Sequence, residues 1–284
     1  MTIVLGGNQY GKAETRVVRV TRDGPAHELR DLNVSVALAG ELDVVFLSGD
    51  NTPALPTDSQ KNTVYAFARE HGIASPEEFA LLLARHFVGS QEPIAWARLD
   101  VEEYAWDRVA GHSFVRRGTE VRTARVTHSA GGTHVVSGLK DLVLLNSTGS
   151  EFWGFATDPY TTLQETRDRI LATAVTAQWR HRSAETDWDA SYPKIRDLLV
   201  QTFAGTHSLS LQQTLFTMGR RVLEEHEGIA EIRFAMPNKH HFVVDLEPFG
   251  LDNPNEVFFA ADRPYGLIEG TVLRDDVATA EEAW

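Results

Sequence analysis

Asp50-Asn51-Thr52-Pro53-Ala54-Leu55-Pro56-Thr57-Asp58-Ser59-Gln60-Lys61-Asn62-Thr63-Val64-Tyr65 begins as a loop and ends as a helix, and the elements around it are ordered by where that change falls. Pro53 and Pro56 lack backbone donors and push the residues before them away from helical angles, so the chain stays extended up to Thr57. Thr57, Asp58 and Ser59 all suit an N-cap, and the spacing of Val64, Phe67 and Ala68 predicts a helix from about Asp58 to His71 that stops at Gly72. A hydroxyl at a helix N-terminus sits beside free N–H groups and a partial positive charge, which suits an anion; a plain capped helix fits the same residues.

Working outward, strands precede the loop and follow the helix. Gly6-Gly7-Asn8-Gln9-Tyr10-Gly11-Lys12-Ala13 nearly matches a phosphate-binding loop, but Ala13 stands where a hydroxyl is needed, and Thr15 to Thr21 is β-branched strand material where a helix is needed. Lys12 is left at the mouth of a strand, as a surface charge or a site residue. A second strand runs from about His27 to Leu38. After the first helix, Ser75-Pro76 opens another carrying Phe79, Leu82, Leu83, His86 and Phe87, with His86 expected to be a half-buried bystander. Strands return at about Ile94–Arg108 and Glu120–His128, and Gly131-Gly132 makes a break.

The second half repeats this β-β-α-α-β-β order. Strands are expected at His134–Asn146 and Ile170–Arg182, and one helix carries Ile195, Leu198, Leu199, Thr202 and Phe203. Another carries Leu211, Leu215, Met218 and Val222. A closing hairpin is expected to pair Glu231–Ala235 with His241–Glu247 around Pro237-Asn238-Lys239. The expected class is α+β: two antiparallel four-stranded units, 1–130 and 131–284, each with a helix pair over one sheet face. Open sheet edges need cover, which strands joining edge to edge in an oligomeric barrel provide.

With 42% hydrophobic and 24% charged residues, the 284-residue chain has material for real cores. A net charge of −13 argues against nucleic acid and anionic membranes as partners, although a local cationic pocket still permits a small anion. The absence of a long apolar run or a signal-like start reads as cytoplasmic. Without cysteine, disulfides, zinc-thiolate sites and thiol nucleophiles are excluded. The acidic tail from Asp275 to Trp284 has the composition of a loose end.

Four islands carry chemistry. Phe152, in Phe152-Trp153-Gly154-Phe155, suits either a stacking platform or a core. Arg169, just before an apolar run, presents a planar fork of donors to an anion or pairs with a nearby acid. Gln212, at a helix start, reads donor and acceptor edges of a heterocycle or is merely solvated. In Pro237-Asn238-Lys239-His240-His241, adjacent strand histidines face opposite ways, so a metal clamp is disfavoured and one histidine is expected inward. His240 is suited to moving protons near neutral pH, and Asn238 to holding a small molecule.

Taken together, Tyr10-Gly11-Lys12, Thr57-Asp58-Ser59-Gln60-Lys61-Asn62-Thr63, Phe152-Trp153-Gly154-Phe155, Tyr160-Thr161-Thr162-Leu163, Asp168-Arg169-Ile170-Leu171 and Pro237-Asn238-Lys239-His240 resemble the urate oxidase (uricase) family of actinobacterial type, over nearly the whole chain. That resemblance implies two tandem T-fold (tunnelling-fold) domains per chain and a homotetramer around a tunnel, with sites shared between subunits. It also implies a cofactor-free, metal-free oxidation of urate by dioxygen and water to 5-hydroxyisourate and hydrogen peroxide. By the same resemblance Arg169 and Gln212 grip urate in its plane, Phe152 stacks on it, and Leu211 gives a backbone contact. Thr57 and the Asp58 N–H reach it from the neighbouring subunit. Lys12 and Thr57 form a proton relay assisted by His240, and Asn238 with Thr57 holds dioxygen or water above the ring. Pro56 and Ala174 depart from the family pattern. Two alternatives share the scaffold: another T-fold enzyme acting on a purine or pterin, and a non-catalytic purine- or pterin-binding protein.

Overall fold

In the computed structural model, which describes residues 2–284 and, at residue 262, the backbone alone, the chain that leaves Asp50 does become helical at Thr57. Thr57 is the first helical residue and not the cap, which corrects the expectation. Pro56 takes the cap position at φ −53°, its carbonyl accepts from Gln60 N at 3.1 Å, and it offers no side-chain acceptor. The proline ring presets the angle that a capping residue otherwise has to adopt.

Two compact units divide the chain. The first comprises Met1–Gly138, Trp179–Tyr192 and Asp276–Trp284, the second Leu139–Gln178 and Pro193–Asp275. Each unit therefore draws on segments beyond the 130/131 division that the repeated element order suggests.

The first unit contains β1 (Tyr10–Thr21), β2 (Glu28–Gly40), the short α1 (Asp43–Leu47), α2 (Thr57–Glu70), α3 (Pro76–Ser90), β3 (Ile94–Glu103), the hairpin β4 (Trp106–Ala110) and β5 (Ser113–Arg116), and β6 (Val121–Ser129). The sheet runs β1-β2-β3-β6, antiparallel throughout. Along β2, Leu32, Val34, Val36 and Leu38 are buried at every second position, the mark of a sheet with one face on a core. Val64, Phe79, Leu83 and Phe87 of α2 and α3 join them in that core. Burying such a side chain contributes about 1.5–3 kcal/mol, which is what holds the helix pair to the sheet. Ser75 caps α3 as expected, accepting from Glu78 N at 3.1 Å, and His86 lies half-buried 4.6 Å from the Phe67 ring. The strand expected over Ile94–Arg108 ends earlier: Tyr104 N donates to Asp31 O at 2.9 Å, and the chain then folds into the β4–β5 hairpin.

Lys12 lies within β1, which begins at Tyr10, so Gly11 and Lys12 belong to the sheet while Gly6 and Gly7 precede it. A bulge follows it: the register moves from Lys12↔Val36 to Thr15↔Val34, and Glu14 takes φ 55°. Bulges re-aim neighbouring side chains. Just before it, a Cβ on Gly11 would lie 1.8 Å from the Val36 carbonyl oxygen, so the two strands approach there as only glycine permits. Gly11→Ala is expected to cost roughly 2 kcal/mol or more by forcing them apart, read as a lower urea midpoint. An unchanged midpoint contradicts the close approach.

β7 (Gly132–Asn146) and β8 (Leu171–His181) contribute residues to both units. In the second, with α4 (Trp188–Gly205, whose residues up to Tyr192 belong to the first unit), α5 (Leu211–Glu225), β9 (Ile229–Val243) and β10 (Phe258–Leu273), the strand order is β7-β8-β9-β10. The β-β-α-α-β-β order thus recurs, and the fold is α+β. Ile195, Leu199 and Phe203 of α4 and Leu211, Met218 and Val222 of α5 are buried as their spacing predicts.

The hairpin expected around Pro237-Asn238-Lys239 does not form. β9 runs unbroken through it and pairs antiparallel with β10. Pro237 is tolerated because the ladder is already interrupted beside it: Ala261 pairs with His240 and Gly266 with Asn238, so β10 bulges opposite Lys239. The real connection turns at Asn253, whose Oδ1 accepts from Glu256 N and Val257 N, both at 3.0 Å.

The tail is not loose either. Ala280 and Ala283 are buried against Val136, and Arg182 Nη2 bonds Asp276 at 2.8 Å. Among the described residues no helix is long and apolar enough to cross a membrane.

Candidate active site

A cavity of about 660 Å³ opens within the second unit, between the 147–170 segment and β9, and Phe152, Arg169, Asn238 and His240 all line it. Phe152 is half-buried, its ring stacked on Phe155 at 5.0 Å and 17°, a backing that suits a platform. The Arg169 guanidinium carbon lies 5.1 Å from the Phe152 ring centre. Burial alone lowers the Arg169 pKa from its ordinary value, and among the described residues no carboxylate is paired with it. The acids that precede Phe152 and Arg169 in the chain, Glu151 and Asp168, are occupied elsewhere. Glu151 accepts from His207 at 2.7 Å and Trp153 at 2.6 Å, and Asp168 accepts from the Thr148 hydroxyl at 2.8 Å and Gly149 N at 3.1 Å. The alternative of a pair with a neighbouring acid is therefore not what forms. A partly desolvated cation is left lining a cavity, an arrangement that suits an anionic ligand.

His240 stacks near Phe242 at 5.8 Å. Its pKa is lowered first by burial, then by the charges of Arg169 and His241. It is accordingly neutral near pH 7 and able to accept a proton. His241 is also among the residues that line the cavity. The ladder is interrupted opposite Lys239, and His241 Nδ1 lies 3.0 Å from the Lys239 carbonyl oxygen.

Leu211 and Gln212 are the first two residues of α5, behind the cap Ser210, whose side chain accepts from Gln213 N at 3.1 Å. Leu211 is buried and Gln212 exposed, and neither lines the cavity. Lys12, Thr57 and Asp58 belong to the first unit and are likewise absent from its lining. There Thr57 is half-buried at the start of α2. The Asp58 carboxylate, held below its ordinary pKa chiefly by Lys61, also feels the charge of Lys12. The structure thus brings together Phe152, Arg169, Asn238 and His240 in one place, and Lys12 with Asp58 in another.

Reading the sequence missed Asn255 and Phe258 as lining residues, because the misplaced hairpin left them outside the site. Thr162 and Leu163 also line it. They fall in the quoted Tyr160–Leu163 motif but had been given no role.

The family profile for uricases matches residues 8–127 and 135–269. The chain belongs to the uricase family. A uricase from Arthrobacter globiformis is 52% identical over 284 residues, spanning 99% of this chain and 94% of that protein. One from Danio rerio is 35% identical over 277 residues, spanning 93% of each. The crystal structure of the Arthrobacter globiformis uricase superposes with a TM-score of 0.96 at 52% identity, covering 99% of this chain and 98% of that one. The resemblance to the actinobacterial type of uricase is borne out by this match. Within the uricase match, the first stretch holds Lys12, Thr57 and Asp58, and the second holds Phe152, Arg169, Leu211, Gln212, Asn238 and His240.

Proposed function

We propose that the chain oxidises urate with dioxygen and water to 5-hydroxyisourate and hydrogen peroxide in the cytoplasm, at sites assembled between subunits of a homotetramer of paired T-fold domains, 1–130 and 131–284. The observation that carries this reading is the half-buried Arg169 guanidinium, without a carboxylate partner among the described residues, beside the backed Phe152 ring and the neutral His240. Urate is planar, aromatic and anionic, and those three properties match a stacking ring, a fork of donors and a positive charge. Gln212 and the Leu211 backbone complete the in-plane grip, while Thr57 and the Asp58 N–H come from the adjoining subunit.

Deprotonated urate is electron-rich and supplies two electrons to dioxygen; water supplies the new hydroxyl oxygen. Protons released from urate and water travel through Thr57, Lys12 and His240 to the reduced oxygen, and Asn238 with Thr57 holds the oxygen species over the ring. No additional electron carrier is needed for the balance.

The test is to incubate purified chain with urate in air without added cofactor. Urate absorbance is expected to fall with oxygen uptake and peroxide release in equal amounts. Binding without turnover supports a purine-binding protein instead.

A pH profile adds a second expectation. A depressed pKa means that His240 binds its proton only below the ordinary value of 6.5, so the acid limb of kcat/KM due to it lies below pH 6.5 and disappears in His240→Gln. A limb unchanged in His240→Gln removes His240 from the relay.

A further inference from the structure

Three segments that bear the proposed ligand contacts meet at a short run of fully buried hydroxyls. Ser150, Ser208 and Thr214 have no exposed surface. Ser150 and Ser208 form an isolated parallel bridge, with Glu151 N donating to Ser208 O at 2.7 Å and Ser208 N to Gly149 O at 2.9 Å. On one side, Arg169 N donates to Ser150 O at 2.9 Å and Arg169 Nε to Ser150 Oγ at 3.4 Å. On the other, the Thr214 hydroxyl donates to Ser208 Oγ at 2.8 Å, and the Ser208 hydroxyl donates to Ser210 O at 3.1 Å. Ser210 is the cap of α5, so its carbonyl belongs to the peptide that carries the Leu211 N–H.

We infer that Ser150, Ser208 and Thr214 are positioning residues that fix the Arg169 guanidinium in register with the N-terminus of α5. This rests on the urate reading above and deepens it. Ser150 engages Nε and leaves the terminal nitrogens of Arg169 for the ligand. The Thr214 to Ser208 to Ser210 chain orients the first peptide of α5, from which the Leu211 N–H and Gln212 project. In this direction the Thr214 and Ser208 protons both find acceptors without a ligand, and Thr214 Oγ1 also lies 3.2 Å from Ser210 O, while the Ser150 hydroxyl accepts from Arg169. A buried network in that condition is rigid, because breaking any link strands a polar group away from water. The two halves of the in-plane grip are thereby held at a fixed spacing before the ligand arrives, and that spacing governs affinity more than the chemical step.

Thr214→Val keeps the shape and removes the hydroxyl, while Thr214→Ser keeps the hydroxyl. Thr214→Val is expected to raise the urate KM about tenfold, the worth of one well-placed hydrogen bond, with kcat within about twofold. Thr214→Ser is expected to return KM to within about twofold of the unaltered chain, and Ser150→Ala to raise KM without any change at Thr214. Ser150→Ala also keeps the test open should Thr214→Val fold poorly. KM unchanged in both Thr214→Val and Ser150→Ala, or Thr214→Ser behaving like Thr214→Val, overturns the inference. Absence of urate turnover in the unaltered chain overturns the urate reading itself, a separate result.

Discussion

Arg169→Ala is expected to raise the urate KM at least about a hundredfold, since charge-assisted hydrogen bonds to an ionised partner contribute about 1.5–3 kcal/mol and this residue makes more than one. The reason is specific to its surroundings. Glu151 and Asp168 are both occupied by other donors, so the cavity loses its compensating cation when Arg169 is removed. Arg169→Lys recovers little, because an ammonium lacks the planar fork and the guanidinium contact over the Phe152 ring. Equilibrium binding of urate under anaerobic conditions separates affinity from turnover. Unchanged binding by Arg169→Ala contradicts the clamp.

A different signature is expected at the other half of the site. Lys12→Met and Thr57→Ala are each expected to lower kcat at least about a hundredfold, the usual worth of a positioned acid or base, while KM stays within about threefold. Lys12 sits immediately before a bulge, with Glu14 in the left-handed region, and Thr57 opens α2 behind a proline that leaves the helix end without a side-chain cap. Both residues are half-buried, and neither feature ties their side chains into the local capping of the element that carries them. Full turnover in either variant, measured with saturating urate and oxygen, removes it from the relay. The thermal midpoint of each variant should stay close to that of the unaltered chain, which distinguishes a chemical defect from an unfolded one.

The fold was legible where side-chain spacing and capping agreed. Ser75-Pro76 and Ser210 each mark a helix start whose buried face follows from Phe79, Leu83 and Phe87 or from Leu211, Met218 and Val222. It was misread where turn-forming residues sat inside a strand. Pro237-Asn238-Lys239 has the composition of a turn, yet the bulge in β10 lets β9 continue, and the turn belongs to Asn253-Pro254-Asn255, a cluster with equally plain chemistry. The tail was misread because composition says nothing about small residues such as Ala280 and Ala283 finding a recess beside Val136. Within the candidate site, Arg169 was legible from its place before an apolar run. Its lack of an acid partner among the described residues was not, since that depends on donors from Thr148 and His207, brought close only by folding. Ser150, Ser208 and Thr214 gave no signal in the sequence, because buried hydroxyls look like any other serine or threonine until their neighbours are known.

The central claim is that one protomer supplies Arg169 and Phe152 while another supplies Lys12 and Thr57 to the same urate. Mixing Arg169→Ala and Lys12→Met chains under conditions that exchange subunits tests it most directly, because neither variant alone turns over urate well. Random reassembly is expected to restore about a quarter of the unaltered activity, since about one interface in four then joins an intact Arg169 to an intact Lys12. Exchange verified by labelled subunits, with no activity regained, contradicts a shared site and places both residues in a single chain.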